Sequence, residues 1–188
     1  MKRIIKIFIA ALSLTLTFTS CTKDDSEDNT VTELDSYNAN FLAFIIQSDV
    51  TRVAPNYSEG SWNNKKVNGN DRGYAIVNGS YTTWTTITGY STNNFYKYNN
   101  AKVDFSDFGG YEDSPVFTGS AKIDGTIKYT YFMGNTGTYE GSWNLSGSVK
   151  CTRKYKGDAS FFITFTAPLK YTGTLTFNGT TFQVSDKY

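Results

Sequence analysis

Hydrophobic and polar positions divide the chain into three regimes. Residues 7–18 form an uncharged, largely apolar run behind Lys2, Arg3 and Lys6. Between residues 40 and 53, Leu42, Ile45, Ile46, Val50 and Val53 recur at three- and four-residue intervals, the period of one helix face. Asn38 or Asn40 is available as N-cap and Pro55 lies just past the end. Phe41, Phe44 and the β-branched residues make an early strand the competing reading of this stretch. Residues 56–71 are polar, lack a period and read as a loop carrying Trp62. From Gly73 onward apolar residues alternate, as in Val103 with Phe105, Ala121 with Ile123 and Leu175 with Phe177, the period of half-buried strands.

Glycines punctuate this third regime. Gly73 and Gly79, Gly119 and Gly125, Gly141 and Gly147, and Gly173 and Gly179 each enclose five residues, at spacings too irregular for a solenoid. The second glycine of each phrase belongs to Asn78-Gly79, Asp124-Gly125, Ser146-Gly147 or Asn178-Gly179. Asn-Gly and Asp-Gly tolerate the positive φ angles of tight hairpin turns. The four dipeptides are therefore expected to turn the chain, with a mid-strand kink as the alternative at Ser146-Gly147. Further breaks are expected at residues 89–100, 109–113, 134–137, 157–158 and 167–168. The fold expected is all-β and mainly antiparallel, with roughly eight to ten short strands in a hairpin meander. The meander should close as a barrel or a strongly curved sheet to hide its edges, with one N-terminal helix packed on or in it. The terminal Tyr188 invites comparison with integral outer-membrane barrels. Asp186 and Lys187 beside it, and the lack of a lipid-facing band, weigh against that reading.

The first regime has the layout of an export signal, a basic start followed by an apolar stretch. It is too short for a spanning helix, which needs roughly 20 apolar residues, and acidic sequence from Asp24 closes it. Phe18-Thr19-Ser20-Cys21 resembles a bacterial lipobox, with Phe18 departing from the more usual leucine. Lys23-Asp24-Asp25-Ser26-Glu27-Asp28 looks like the acidic stretch that follows the lipidated cysteine in surface-displayed lipoproteins of the Bacteroidota. The resemblance covers residues 1 to about 28 only. It implies cleavage before Cys21, a diacylglycerol on the Cys21 thiol, and a fatty acyl chain such as palmitate on the new amine. It also implies attachment to the outer membrane, facing the cell exterior or, alternatively, the periplasm. Each buried CH₂ contributes about 0.8 kcal/mol, so two or three chains hold durably where one does not. The organisation expected is a signal peptide over residues 1–20, a lipidated acidic tether over 21–37 and a single β domain over 38–188.

Removing residues 1–20 takes three of the 18 basic residues and none of the 17 acidic ones, leaving a formal charge of −2. Without a basic excess, nucleic acid is not an expected partner. Cys151 is the sole cysteine besides Cys21, so an internal disulfide is not expected, and its alternating surroundings suit a small buried side chain. The chain has no histidine, which removes the commonest metal ligand and general base together. No cofactor is expected. Asp104, Asp107, Glu112 and Asp113 are a weak Ca²⁺ candidate, with a solvated turn as the plainer explanation. Glu59, Asp71, Glu112, Glu140 and Asp158 are available for glycan hydrolysis, but no spacing singles out a pair.

Aromatic residues are the remaining signal: Trp62, Tyr81, Trp84, Tyr90, Tyr96, Tyr98, Tyr139 and Trp143. Rings in strands usually fill a core or cover cross-strand pairs; exposed rings can stack on sugar faces. Trp62, Trp84 and Trp143 are the ligand candidates, with Trp62 favoured by its polar surroundings. The expected function is a lipid-anchored, non-catalytic binding or scaffold module at the cell surface. Its partners would be the membrane and a glycan or another surface protein. A carbohydrate-binding module and a glycan hydrolase are the alternatives.

Overall fold

A computed structural model describes residues 31–55, 59–112, 114–132, 137–167 and 170–186. Cys21, the signal, the first ten residues of the tether, Asp113 and Tyr188 lie outside the described residues. Val31 bridges Tyr155 in parallel, its N–H donating to the Lys154 carbonyl and its own carbonyl accepting from Lys156 N–H. Part of the stretch assigned to the tether, from Val31, is therefore joined to the domain.

The competing helix and strand readings resolve as helix. α1 spans Ser36–Val53. Its N-cap is Asp35 rather than Asn38 or Asn40, with the carboxylate accepting from Asn38 N–H at 2.7 Å and satisfying one of the orphan donors of the first turn. Asn40 instead serves the tertiary fold: its amide donates to the Ser36 carbonyl and its oxygen accepts from Ser185 N–H at the far end of the chain. Leu42, Ala43, Ile46, Val50 and Val53 form the buried face.

Eight strands follow: β1 Gly60–Asn68, β2 Arg72–Thr88, β3 Ser91–Gly109, β4 Val116–Phe132, β5 Thr138–Thr152, β6 Gly157–Ala167, β7 Lys170–Phe177 and β8 Thr180–Ser185. They pair in sequence order as one antiparallel sheet. All-β architecture and the meander are thus observed, but the barrel is not. Within the described residues β1 pairs only with β2 and β8 only with β7. The physical reason is α1, which supplies the apolar cover that a closing strand pair would otherwise supply. It packs on β7 and β8, its C-cap carbonyl at Ala54 accepts from the buried Tyr98 hydroxyl of β3, and Arg52 reaches Asn70 in the β1–β2 turn.

The strands are longer than expected, because three of the four Asx-Gly or Ser-Gly dipeptides lie within them. Only Asn178-Gly179 makes a turn, between β7 and β8. Asn78-Gly79 is inside β2, Asp124-Gly125 inside β4, and Ser146-Gly147 inside β5 as the kink alternative has it. Their turn chemistry is used across the sheet instead. Asn64 in β1 and Asn100 in β3 sit at bulges with φ of 51° and 47°. Their N–H groups are caught by the side chains of Asn78 and Asp124, each at 2.8 Å. Asp107 repeats the device, with φ of 50° and its N–H on the Thr118 hydroxyl. The glycine that follows each acceptor has positive φ and stands where a Cβ would strike the next strand: at Gly79 it would lie 2.5 Å from the Asn100 carbonyl oxygen. Bulges of this kind bend a strand and increase its local twist. The bulge at Asn64 also explains why β1 was legible only as a loop, since it breaks the alternation between Trp62 and Val67.

One face of the sheet is the core. Val77, Tyr81, Tyr98, Val103, Ile123, Ile127, Leu145, Val149, Cys151, Phe161, Ile163, Leu175, Phe177 and Val184 are buried in one cluster with the apolar face of α1. Each large side chain contributes about 1.5–3 kcal/mol through the area removed from water. Cys151 is fully buried, and its thiol is pushed up to about 12 by burial, with Asp158 adding to the shift. It is an inert core residue.

Candidate functional site

β2 to β5 extend past the ends of their neighbours. β1 starts opposite Tyr81, and β6 pairs with β5 no further than Trp143 opposite Phe165. Residues 82–88, 91–97, 126–132 and 138–142 therefore form a four-stranded extension, paired internally. Strand alternation carries the core face outward onto it. Continuing from Ile127 come Tyr129 and Tyr131; continuing from Trp143 come Gly141 and Tyr139.

The core-side surface of this extension is aromatic. Register places Thr85, Asn94, Tyr129 and Tyr139 in one row, and Ile87, Thr92 and Tyr131 in the next. The Tyr129 and Tyr139 rings lie 4.7 Å apart at 34°, and Thr85 donates to Asn94 at 2.8 Å. Gly137 makes room for this pair, since a Cβ there would meet the Tyr129 ring at 2.2 Å. Tyr131 and Tyr139 are 44% and 43% exposed. An open row of rings edged by hydroxyl and amide groups can offer apolar contact and directional hydrogen bonds together.

The opposite surface carries a second aromatic row. Trp84 stacks on Phe95 at 4.7 Å and 3°, and beyond Phe95 the row continues through Lys128 to Glu140, joined at 3.1 Å. A groove of about 370 Å³ beside it is lined by Asn93, Lys128, Thr130, Phe132 and Glu140. Thr130 donates to Asn93 at 2.9 Å within it.

The three tryptophans are not brought together. Trp84 is half-exposed on this outer surface, whereas Trp62 and Trp143 are buried in the core. Trp143 packs edge-on against Tyr98 and donates its indole N–H to the Tyr96 carbonyl. Trp62, expected in an open loop, lies in β1 beneath the sheet's rim. Tyr81 and Tyr98 are also interior, with the Tyr81 hydroxyl pushed up to about 12 and the Tyr98 hydroxyl further, in both cases mainly by burial. Tyr90 is exposed in the β2–β3 turn. Tyr129 and Tyr131 were missed at the sequence level, although the period-two spacing from Ile127 was the signal that aligned them.

The carboxylates are dispersed. Asp104 pairs with Lys102 at 2.8 Å and Asp107 with Arg72 at 2.9 Å, while Glu112 lies in the β3–β4 loop. Among the described residues no group of three or more His, Cys, Asp or Glu side chains gathers into a metal site, so the Ca²⁺ candidate is not assembled there. Glu59 accepts from Thr83, which holds its carboxyl below the usual range; Asp71 is bound to Arg153 and Glu140 to Lys128. Asp158, the second residue of β6, donates its N–H to the Asn178 side chain at 3.0 Å.

One buried carboxylate escaped sequence reasoning. Asp49 of α1 is 1% exposed and lies at the floor of a cavity of about 190 Å³ lined by Phe41, Phe44, Tyr111, Glu112, Pro115 and Lys154. Arg52 approaches it at 3.5 Å, an ion pair without hydrogen-bond geometry, and the guanidinium lies over the Phe108 and Tyr111 rings. Gly110 presses on the carboxylate so closely that a Cβ would fall 2.2 Å from Oδ1. Burial raises the Asp49 pKa to about 6, with Arg52 opposing the rise.

No protein-family model matches the chain, and no curated protein or solved structure matches it.

Proposed function

We propose that the protein is a non-catalytic binding module that takes extended glycans on the tyrosine face of the four-stranded extension. In this reading it is exported and held on the outer membrane through lipid on Cys21. The observation that carries the ligand class is the shared placement of Tyr129, Tyr131 and Tyr139 on the core-side face beyond the strands that border it, with Tyr131 and Tyr139 exposed and Tyr129 half-buried against Tyr139. Rings in a shallow row favour a chain of sugars over a single enclosed one, because stacking repeats along the row and the flanking Thr85 and Asn94 supply polar contacts. The sheet is read as strongly curved around α1, a shape supported by the bulges at Asn64, Asn100 and Asp107. A hydrolase is less favoured, since Glu59, Asp71 and Glu140 each hold a structural partner.

Affinity electrophoresis through gels containing soluble polysaccharides, with a glycan array for breadth, tests the ligand class. The Tyr131→Ala and Tyr139→Ala variants should each lose about ten-fold in affinity, since one stacked ring is worth on the order of 1 kcal/mol or slightly more. Trp62→Phe, in the core, should bind as the wild type does. Unchanged retardation of the Tyr131→Ala/Tyr139→Ala double variant would sink the glycan reading and leave a scaffold for another surface protein. The anchor is tested separately: fatty-acid labelling and membrane fractionation should both be lost in Cys21→Ser.

A further inference from the structure

Among the described residues both edges of the extension lack a further strand, β2 beyond Tyr81 and β5 at residues 138–142, and only the β5 edge carries a charged residue, Glu140. β2 pairs with β1 only as far as Tyr81. Just beyond, the Glu59 carboxylate accepts from the Thr83 N–H at 2.6 Å and from its hydroxyl. Alternate residues of a strand turn their N–H and C=O groups to the same edge, so Thr85 and Ile87 face outward where Thr83 does. Among the described residues no strand pairs with them on that edge, β3 lying on the other. The segment Trp84-Thr85-Thr86-Ile87-Thr88 is rich in β-branched residues, carries no charge and contains no proline. Ile87 is 76% exposed. The free edge of β1, by contrast, carries Lys65, Lys66 and the Asn64 bulge, which discourage further pairing. β8 is tied to α1 through Asn40.

We infer that residues 84–88 of β2 pair with the same segment of a second copy of this chain, antiparallel and about a two-fold axis at Thr86. Self-pairing sets each side chain against its own kind or a near neighbour, so it requires an edge free of charge; this segment meets that condition and Lys65-Lys66 does not. Glu59 bounds the free edge at one end and the Gly89 turn at the other, which puts its centre at Thr86. In that register Thr85 exchanges backbone hydrogen bonds with Ile87 of the copy, Trp84 stands opposite Thr88, and Thr86 meets itself. The axis is normal to the sheet, so both tyrosine faces lie on the same side of a continuous sheet. So short an edge buries well under about 1,000 Å², the territory of a transient dimer. The pairing stands whether or not the tyrosine face takes glycans.

Cysteine cross-linking in the full chain, under a mild oxidant, reads the register. Thr86 and its copy form a non-hydrogen-bonded pair with Cα atoms about 4.5 Å apart, within the disulfide range. Thr86→Cys should therefore give a covalent dimer, with a yield at least about ten-fold above Thr82→Cys and the wild type, whose own cysteines set the baseline. Trp84→Cys and Thr88→Cys should link when mixed and not singly. A Thr86→Lys and Thr86→Glu mixture should associate while each alone stays monomeric by sedimentation. If Thr86→Cys reacts with maleimide yet stays monomeric under oxidant, or if Thr82→Cys links equally well, self-pairing is overturned and the edge is left for a strand of a different partner.

Discussion

Burial between Gly110 and the rings around Arg52 sets the chemistry of Asp49. Its folded pKa of about 6 exceeds the ordinary value of 3.8, so the folded chain holds this proton more tightly than the unfolded chain. The associated stability is fully present below about pH 4 and is lost as pH rises through 6, after which it is flat. Two pKa units correspond to about 3 kcal/mol. Urea unfolding at pH 4.5 and pH 7 should show wild-type stability falling by about 2 kcal/mol relative to Asp49→Asn, part of the effect being already lost at pH 4.5. An identical pH slope in the two proteins would remove Asp49 as the titrating group. Arg52, Glu112 and Lys154 are the charged neighbours around the same cavity and stay fixed in the comparison. The i, i+3 spacing of Asp49 and Arg52 was legible in the sequence; the burial was not. It depends on Gly110, more than fifty residues downstream, arriving without a side chain.

The bulge device repeats along the strands: a left-handed residue, a side-chain acceptor on the next strand, then a glycine of positive φ. Gly125→Ala would combine a φ of +123° with a Cβ 2.3 Å from the Ser142 carbonyl oxygen, and backbone cannot yield cheaply. Thermal or urea melts should show a loss of about 2–4 kcal/mol. Gly89→Ala has φ of +61° but open space around the new methyl, and should cost only about 1 kcal/mol. Equal losses would mean that backbone angle, and not the close approach, decides the cost. The same contrast explains the misreading of Asn78-Gly79 and Asp124-Gly125. Local chemistry marks a place where the backbone tolerates positive φ. Whether that place turns the chain or accommodates a neighbour's bulge depends on strands paired from far along the sequence.

Across the molecule, the sheet has two thermodynamic zones. Residues 101–105 and 121–125 lie within the buried cluster that includes the apolar face of α1, while residues 91–95 and 128–132 are in the extension beyond β1 and β6. Local opening follows buried contacts, so amides of β3 and β4 in the extension should exchange with deuterium roughly 100-fold faster than those of the same strands within the buried cluster. Uniform protection along β3 would show that the strands open as whole units. Legibility divides along the same line. Period-two alternation from Val103 to Phe177, the helical spacing from Leu42 to Val53 and the alternating surroundings of Cys151 determined the element types, the inward face and the burial of Cys151, because these follow from neighbours a few residues apart. Tertiary structure decided that α1 and not a β1–β8 pair covers the core, that Trp62 and Trp143 are interior, and that Tyr131 and Tyr139 stand open beside a half-buried Tyr129. A pattern along one strand states which side chains share a face. What lies over that face depends on where the other strands and the helix stop, and the chain sets those ends only by folding.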